Sequence, residues 1–275
     1  MRNTPGAGQF IAIFAMLSIA SVPAGAQRDS ADWVRECREW DDDRRGRHCE
    51  VRDQTIQAGG TISVDGHQNG GISVEGWDRN EVLVRAKIQA SGESDAAAQA
   101  LAREVRIETT GGNIRANGPR TRGRTHWSVS FELYVPKRSD LSLETVNGGI
   151  RLKDVRGRIE VSATNGGIAL DDVAGDVRGH TTNGGLRVNL SGKRWEGEGL
   201  DLSTTNGGIK LSLPSNYSAN LETGTTNGGI EIDFPITVQG RLGRRLTTKL
   251  GDGGPTIRLI TTNGGVVIRR GRDDG

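Results

Sequence analysis

Aromatic residues are scarce in this sequence, whose 275 residues include only five Trp, four Phe and two Tyr. Hydrophobic residues of all kinds make up 33%, whereas glycine alone occupies 41 positions. The chain is long enough for one large or two ordinary domains, but so few large side chains cannot fill one thick globular core. The composition therefore favours a thin, repeated architecture.

An excess of charge of either sign is also missing, since 36 Lys and Arg stand against 34 Asp and Glu. A chain this close to neutrality has no global field that would steer nucleic acid or an anionic membrane towards it. Local basic clusters occur at residues 44–47 and 269–270, and we interpret them as solvated surface. We therefore expect no nucleic-acid partner.

Long hydrophobic runs are absent apart from one, which extends from Phe10 to about Val22. This run is short for a bilayer span, and the small residues Ala24, Gly25 and Ala26 follow it, as is typical of a cleavage site. The pattern predicts a signal peptide over residues 1–26, with an uncleaved membrane anchor as the alternative. The protein is then exported to the periplasm, the cell surface or the medium, with no transmembrane segment after cleavage.

Cysteine occurs only twice, at Cys37 and Cys49. Two cysteines close in sequence in an exported chain most simply form a disulfide, which would contribute roughly 3 kcal/mol by closing a short loop. A metal site or a reactive thiol is the alternative, but His48 is the only histidine nearby and lacks the spacing of a zinc site. We predict the disulfide, and neither a metal nor a cofactor.

The motif Asn-Gly-Gly, by contrast, recurs along the chain and defines a repeat. It occurs at Asn69, Asn147, Asn165, Asn183, Asn206, Asn227 and Asn263. From the second copy onward the gaps are 18, 18, 23, 21 and 36 residues, which indicates a unit of about 18 residues with insertions and a degenerate copy near residues 252–254.

The residues around each motif alternate between apolar and polar. The third and fifth residues after every Asn are apolar, as Ile150 and Leu152 are after Asn147. Because alternate residues of a strand share a face, each unit is predicted to be a strand, an Asn-Gly-Gly turn, a second strand and a second turn around one apolar side.

The turn itself has a local explanation. Asn and Gly tolerate positive φ at little steric cost, so left-handed backbone is expected there. A small or hydroxyl residue stands two places before most of the Asn residues, and its side chain is expected to hydrogen-bond nearby backbone: Thr145, Ala163, Thr181, Thr204, Thr225 and Thr261. The seven Asn are therefore predicted to be structural turn residues.

Two all-β architectures fit these units. In a β-solenoid each unit of about 18 residues is one coil and like residues stack on like, whereas in an antiparallel β-meander each Asn-Gly closes a hairpin. A meander exposes one apolar face that needs a cover, and the sequence supplies little helix to cover it. The solenoid is therefore the favoured prediction.

Two helices are predicted outside the strands. Residues 30–40 place Trp33, Cys37 and Trp40 on one side of a short amphipathic helix, which is expected to cover the first coil; an aromatic ligand platform is the alternative. Ser94 or Asp95 can begin the other helix, over about 94–104. The domains are then a signal peptide (1–26), a disulfide-linked cap segment (27–58), the β-repeat domain (59–270) and a tail (271–275).

The insertion at residues 191–199 interrupts the period and contains Trp195. Insertions in repeat proteins often bind ligands, so Trp195 is the one candidate binding residue; packing onto its own coil is the favoured alternative.

The repeated T-T-N-G-G-I units, the exported N-terminus and the C-x11-C segment ending in HCEVRD resemble the bacterial putative-adhesin family over about residues 32–270. The resemblance implies a secreted or surface β-repeat protein. It implies no established biochemical activity, and the family brings no catalytic residues to assign to this chain.

The predicted function is therefore that of a non-enzymatic adhesin or envelope-surface binding scaffold, with a cell-surface polysaccharide or protein as its partner. The alternative is a polysaccharide-acting β-helix enzyme, which needs acids converging from adjacent coils. The outward column Glu160, Arg178, Asp201 and Glu222 is mixed in charge, and the histidines His67, His126 and His180 lie far apart. Ice binding through the outward Thr column is a third class, but one column does not make a plane.

Overall fold

A computed structural model of the chain describes residues 24–39, 46–233 and 243–271. Within these ranges the protein is mostly β, with two ten-stranded sheets and the helices α1 (Ala24–Glu39) and α2 (Asp95–Glu104). The prediction of a mainly β protein with two helices is confirmed. Most of the predicted signal peptide and the last four residues of the tail lie outside the described residues.

Sheet A runs across ten strands in the order β1, β4, β7, β3, β9, β11, β13, β15, β20, β17. Their bounds are β1 (Gly46–Gln57), β3 (Ile72–Trp77), β4 (Glu81–Gly92), β7 (His126–Pro136), β9 (Ile150–Lys153), β11 (Ile168–Asp171), β13 (Leu186–Asn189), β15 (Ile209–Leu213), β17 (Ile230–Ile232) and β20 (Val266–Arg270). The strands from β3 to β17 pair in parallel, whereas β1, β4 and β7 pair antiparallel at one end.

Sheet B has the order β18, β16, β19, β14, β12, β10, β8, β2, β6, β5. Its strands are β2 (Thr61–Asp65), β5 (Arg106–Glu108), β6 (Asn113–Asn117), β8 (Asp140–Asn147), β10 (Arg156–Asn165), β12 (Ala174–Asn183), β14 (Gly199–Asn206), β16 (Ala219–Asn227), β18 (Arg245–Leu250) and β19 (Thr256–Asn263). Its central strands are also parallel, and β18 and β5 pair antiparallel at the two edges.

Each Asn-Gly-Gly is a corner at which the chain leaves sheet B and enters sheet A. The strand before Asn165, for example, is β10 of sheet B, and the strand after it is β11 of sheet A. The alternative of a meander with Asn-Gly hairpins is therefore wrong, because the two strands at each corner belong to different sheets. The inward side chains of both sheets, such as Ile159 and Leu170, form one hydrophobic core, so each sheet buries the apolar face of the other.

The order of the units in space differs from their order in sequence. Strand β19, which ends at Asn263, lies between β14 and β16, so its unit is inserted between the units of Asn206 and Asn227. The prediction of a degenerate corner near residues 252–254 is wrong. Those residues form the turn from β18 to β19, in which Gly253 donates its N–H to the carbonyl of Leu250.

Charge on the outer face of sheet B favours this order. In-register residues form the column Glu160, Arg178, Asp201, Arg258 and Glu222, in which the sign alternates at every step. Arg258 bonds Asp201 at 3.0 Å and lies 3.9 Å from Glu222. Stacking in sequence order would instead place Asp201 beside Glu222, and like charges on neighbouring strands repel.

This alternation predicts that Arg258→Glu is destabilising, because it creates three successive acids in the column. The expected loss of unfolding free energy is about 1 to 2 kcal/mol at low salt, measured by urea denaturation, and it should shrink as salt screens the repulsion. Arg187→Glu is the matched control: it also reverses an exposed arginine, but its neighbours Ala169 and Lys210 tolerate an acid. Equal losses in both variants would contradict the explanation.

The first half of the chain departs from the corner pattern at one place. The segment Thr-Gly-Gly at residues 110–112 resembles the corner motif with Gly111 in place of Asn, but β5 and β6 form an antiparallel hairpin within sheet B there. Gly111 and Gly112 have φ of 63° and 78°, the left-handed conformation of a tight turn. Helix α2 begins as predicted, with the Ser94 hydroxyl accepting the N–H of Ala97 at 3.2 Å.

Helix α1 is longer than predicted, since it begins at Ala24 rather than near Ser30. Its Cys37 forms the disulfide with Cys49 of β1, at a Cα–Cα distance of 6.3 Å. Residues 46–57, assigned above to the cap segment, form the edge strand β1 of sheet A. Trp33 lines a groove on sheet A, and Trp40 lies outside the described residues.

Candidate functional site

The corners stack into a continuous ladder of side-chain amides. Asn165 donates its Nδ2 to Oδ1 of Asn147 at 2.8 Å, and Asn183 donates in the same way to Asn165. Six such hydrogen bonds, of 2.7 to 3.2 Å, join all seven residues in the spatial order Asn69, Asn147, Asn165, Asn183, Asn206, Asn263 and Asn227. The amide both donates and accepts, which is why Asn suits every rung.

A second ladder is formed by the buried threonines that stand two residues before the Asn of most corners. The buried hydroxyl of Thr181 donates to the carbonyl of Gly166 in the neighbouring corner at 2.7 Å, and Thr204 donates to Gly184 at 2.8 Å. Thr145, Thr225 and Thr261 make the equivalent bond, and Ala163 is the exception. The predicted hydrogen bonding of these threonines to backbone is confirmed. They satisfy carbonyls that a larger apolar residue would leave unpaired.

The first glycine of each corner is required by close approach, and only Gly264, at 153°, has positive φ as well. None of the seven Asn has positive φ, so the expected left-handed Asn-Gly turn is wrong. A Cβ added to Gly207 would lie 2.0 Å from the carbonyl oxygen of Gly184, and one added to Gly166 would lie 1.8 Å from that of Gly148. Adjacent corners therefore pack backbone against backbone, which no other residue permits.

The second glycines of five of the seven corners line the floor of a groove. The groove has a volume of about 890 Å³ and crosses the outer face of sheet A over several parallel strands. Its floor includes Gly149, Gly167, Gly185 and Gly208, with the small residues Ser73 and Ala169 beside them. The floor is consequently flat and bare.

Three exposed cations border this floor. Arg151, Arg187 and Lys210 occupy the same position on β9, β13 and β15, with Ala169 of β11 between the first two. None of the three forms an ion pair within the part of the chain that the structure describes. The half-buried indole of Trp33, from α1, also lines the groove. Alternation along β9 and β15 places Arg151 and Lys210 on the exposed face, but only the stacking of distant strands brings them together with Trp33.

One end of the groove is closed by an ionic cluster around the buried Arg85. Arg85, only 1% exposed, bonds both oxygens of Asp53 at 3.0 Å and lies 3.6 Å from Glu132. Glu132 in turn accepts from Lys87 at 2.6 Å and from the Tyr134 hydroxyl at 2.8 Å.

The cluster shifts the pKa values of two of its members. Burial alone would raise the pKa of Glu132, but its hydrogen bonds to Lys87 and Tyr134 and the nearby charge of Arg85 outweigh the effect of burial, so this pKa is lowered. Burial, reinforced by the Glu132 carboxylate, raises the pKa of Tyr134.

Trp195, the one residue singled out for binding, lies in the core. It is 2% exposed, and its indole Nε1 donates to the carbonyl of Gly175 at 3.0 Å. An indole in this position offers no face to a ligand. The placement favours the packing interpretation of the insertion at 191–199.

The structure also shows where the other candidate groups lie. Asp171 is on sheet A and accepts from Asn189, whereas Asp201 is on sheet B with Arg258 as its partner. The acids of the column considered for a hydrolytic site, Glu160, Asp201 and Glu222, are each separated by an arginine, so they do not converge. His126 contacts Ser91, and His180 contacts Ser203 on the face of sheet B. No cluster of three potential metal ligands occurs within residues 24–39, 46–233 and 243–271.

The two facing sheets and the stacked corners define a mostly β, repeat-like class of domain. Residues 46–269 match the family described as Toastrack DUF4097, and the chain therefore belongs to that family. This range begins at β1 and ends in β20, so it covers both sheets. A comparison with the curated proteins gives no match. In the described part of the chain, neither helix has the length and apolar character needed to cross a membrane.

Several solved structures resemble the chain at low identity. A putative cell adhesion protein from Clostridium sporogenes ATCC 15579 is 10% identical with a TM-score of 0.44, over 81% of this chain and 100% of that one. A putative adhesin from Bacteroides fragilis NCTC 9343 is 10% identical with a TM-score of 0.39, over 80% and 97%. A putative lipid binding protein from Parabacteroides distasonis ATCC 8503 is 12% identical with a TM-score of 0.33, over 82% and 97%.

Proposed function

We propose that this protein is an exported, non-enzymatic adhesin, a rigid scaffold that binds material of the cell envelope. The main support is the groove on sheet A, where a bare floor and exposed cations lie on a rigid sheet. Sites on strands hold their geometry more closely than sites on loops. The apolar run at residues 10–22 and the disulfide between Cys37 and Cys49 support export.

The rigidity follows from a β-solenoid of about 18 residues per coil, with the Asn-Gly-Gly corner as its repeat. Asn147, Asn165 and Asn183 pair in register at intervals of 18 residues, which supports this description. Longer units carry their extra residues as insertions, such as 191–199. Each coil contacts mainly its neighbours, so every corner reinforces the next.

Binding can be tested with the chain expressed with its N-terminal segment and purified after export. We expect saturable binding to at least one envelope polysaccharide, with a dissociation constant in about the micromolar range by calorimetry. The polysaccharide recovered afterwards should be unchanged in length. Release of new sugar ends would favour the enzyme alternative, and absence of saturable binding to any envelope material would contradict the proposal.

A further inference from the structure

Charges on the outer faces of the sheets are generally balanced between neighbouring strands. On sheet A, the column one step beyond the groove cations contains Lys153, which bonds Glu75 at 2.7 Å, and Asp171, which accepts from Asn189. On sheet B, the column through Asp201 and Arg258 alternates in sign. The stretch of one column from Arg151 to Lys210 departs from this rule, because its three charges have one sign and form no ion pair among the described residues. The acids of the same column, Glu132 and Glu231, each lie two strands away, beyond Ser73 and Val267, and have other basic partners.

The bare floor is also, in part, more than the fold requires. Gly167 and Gly185 are crowded, with an added Cβ 3.1 and 3.3 Å from a carbonyl oxygen of the next corner, but two other floor glycines are not. A Cβ added to Gly149 or Gly208 would lie 3.4 Å from the nearest carbonyl oxygen, which is ordinary van der Waals contact. Neither residue has positive φ. A side chain is therefore sterically permitted at these positions, unlike at the first glycines. The glycines keep the space above the sheet open beside three cations.

The spacing of the cations is suited to an extended chain with regularly placed negative groups. Neighbouring strands are about 4.8 Å apart, so Arg151 and Arg187 are about 10 Å apart across β11, and Lys210 is one strand further. Two sugar rings of an extended polysaccharide span a comparable length. The half-buried indole of Trp33 on the groove wall can pack against a sugar ring, since such rings present an apolar face.

We propose that the groove binds a linear acidic polysaccharide whose carboxylates pair with Arg151, Arg187 and Lys210 while its rings lie on the glycine floor. This assignment rests on the proposed function, to which it adds the chemical class of the ligand. Arginine suits the task because its planar guanidinium can bond both oxygens of a carboxylate.

Other polyanions fit the groove less well. Val146, at a corner, is the only large exposed hydrophobic residue in the described ranges, so the face offers nothing to insert into a bilayer. The formal net charge of +2 also provides little of the long-range attraction that nucleic-acid binding requires. A flat groove with one aromatic wall and a short cation column is better matched to a polyuronate.

The test uses the exported full chain and oligomers of polygalacturonate, with the fully methyl-esterified oligomer as the uncharged ligand control. Calorimetry should show binding of the free acid, weakening as salt rises, and no binding of the ester. In the variant Arg187→Gln/Lys210→Gln the affinity is expected to fall at least about tenfold. Both side chains are exposed, so the variant is expected to fold, and its circular dichroism spectrum and melting temperature verify this.

The matched variant is Lys153→Gln/Arg269→Gln, which removes the same two charges from the same sheet. Lys153 and Arg269 already have acidic partners, Glu75 and Glu231, so we expect less than about a twofold change in affinity. Equal losses in both variants, or equal binding of acid and ester, would overturn the groove assignment. So would selective binding to phosphatidylglycerol vesicles instead of the polyuronate. If other envelope material still binds both variants as it binds the parent chain, the scaffold function stands and only this assignment fails.

Discussion

Gly207→Ala is expected to lose more than about 3 kcal/mol of unfolding free energy, a large part of the stability of a typical domain. Gly207 is the first glycine of its corner, and an added Cβ would lie 2.0 Å from the oxygen and 2.5 Å from the carbon of the Gly184 carbonyl. These are backbone atoms, so no side chain can rotate away. The corner must open, which breaks the side-chain hydrogen bonds from the Asn206 amide to Asn183 and from the Asn263 amide to Asn206.

Gly208→Ala is the matched control, one residue away. Its Cβ would lie 3.4 Å from the Gly265 oxygen, and neither glycine has positive φ. Both substitutions lower the conformational entropy of the unfolded chain to the same extent, so this contribution cancels when the two variants are compared. Urea denaturation followed by circular dichroism should show a much lower midpoint for Gly207→Ala and a shift within about 1 kcal/mol for Gly208→Ala. Similar losses in the two variants would mean that close packing of the corners is not what requires glycine.

Arg85→Met is expected to lower the unfolding free energy by about 3 kcal/mol at neutral pH. Arg85 is 1% exposed and bonds both oxygens of Asp53, so its removal leaves Asp53 without this partner and Glu132 with only Lys87 and Tyr134. Methionine keeps much of the apolar stem, which isolates the effect of charge. Arg115→Met removes an arginine from the exposed pair with Glu108 and is expected to leave stability essentially unchanged.

The loss caused by Arg85→Met should depend on pH. Glu132 has a lowered pKa in the folded protein, so its interactions stabilise the fold above its unfolded pKa of about 4.3 and are lost as the pH falls through the folded value. The difference between the parent chain and the variant should therefore be largest above about pH 5 and shrink on acidification. A difference that stayed constant from pH 7 to pH 3 would show that Arg85 acts through packing alone.

Much of the local structure could be predicted from the sequence because it depends on residues close together in the chain. Alternation identified strands such as Ile168–Asp171 and the side that each one buries. Ser94 identified the start of α2, and the paired cysteines identified the link between α1 and β1. The corner threonines were also predictable, since a hydroxyl among apolar residues needs a nearby carbonyl.

The groove could not be predicted, because its parts come from distant points of the chain. Arg151 and Lys210 are separated by three intervening corners in sequence and share one face only after the strands pair in register. Trp33 joins them from a helix that the Cys37–Cys49 disulfide holds beside sheet A. Trp195 lies in an insertion of the kind that often binds ligands, yet its side chain is buried and its indole donates a hydrogen bond to the Gly175 carbonyl.

The sequence by itself determined the unit: two short strands, their buried faces and a corner at each Asn-Gly-Gly. Only the tertiary structure decided how the units stack, placing Asn263 between Asn206 and Asn227, and which glycine of each corner is indispensable. The physical reason is that the corners are chemically alike, so any one can pair with any other. Their order then depends on contacts between strands far apart in sequence, such as that of Arg258 with Asp201 and Glu222, which no local pattern contains.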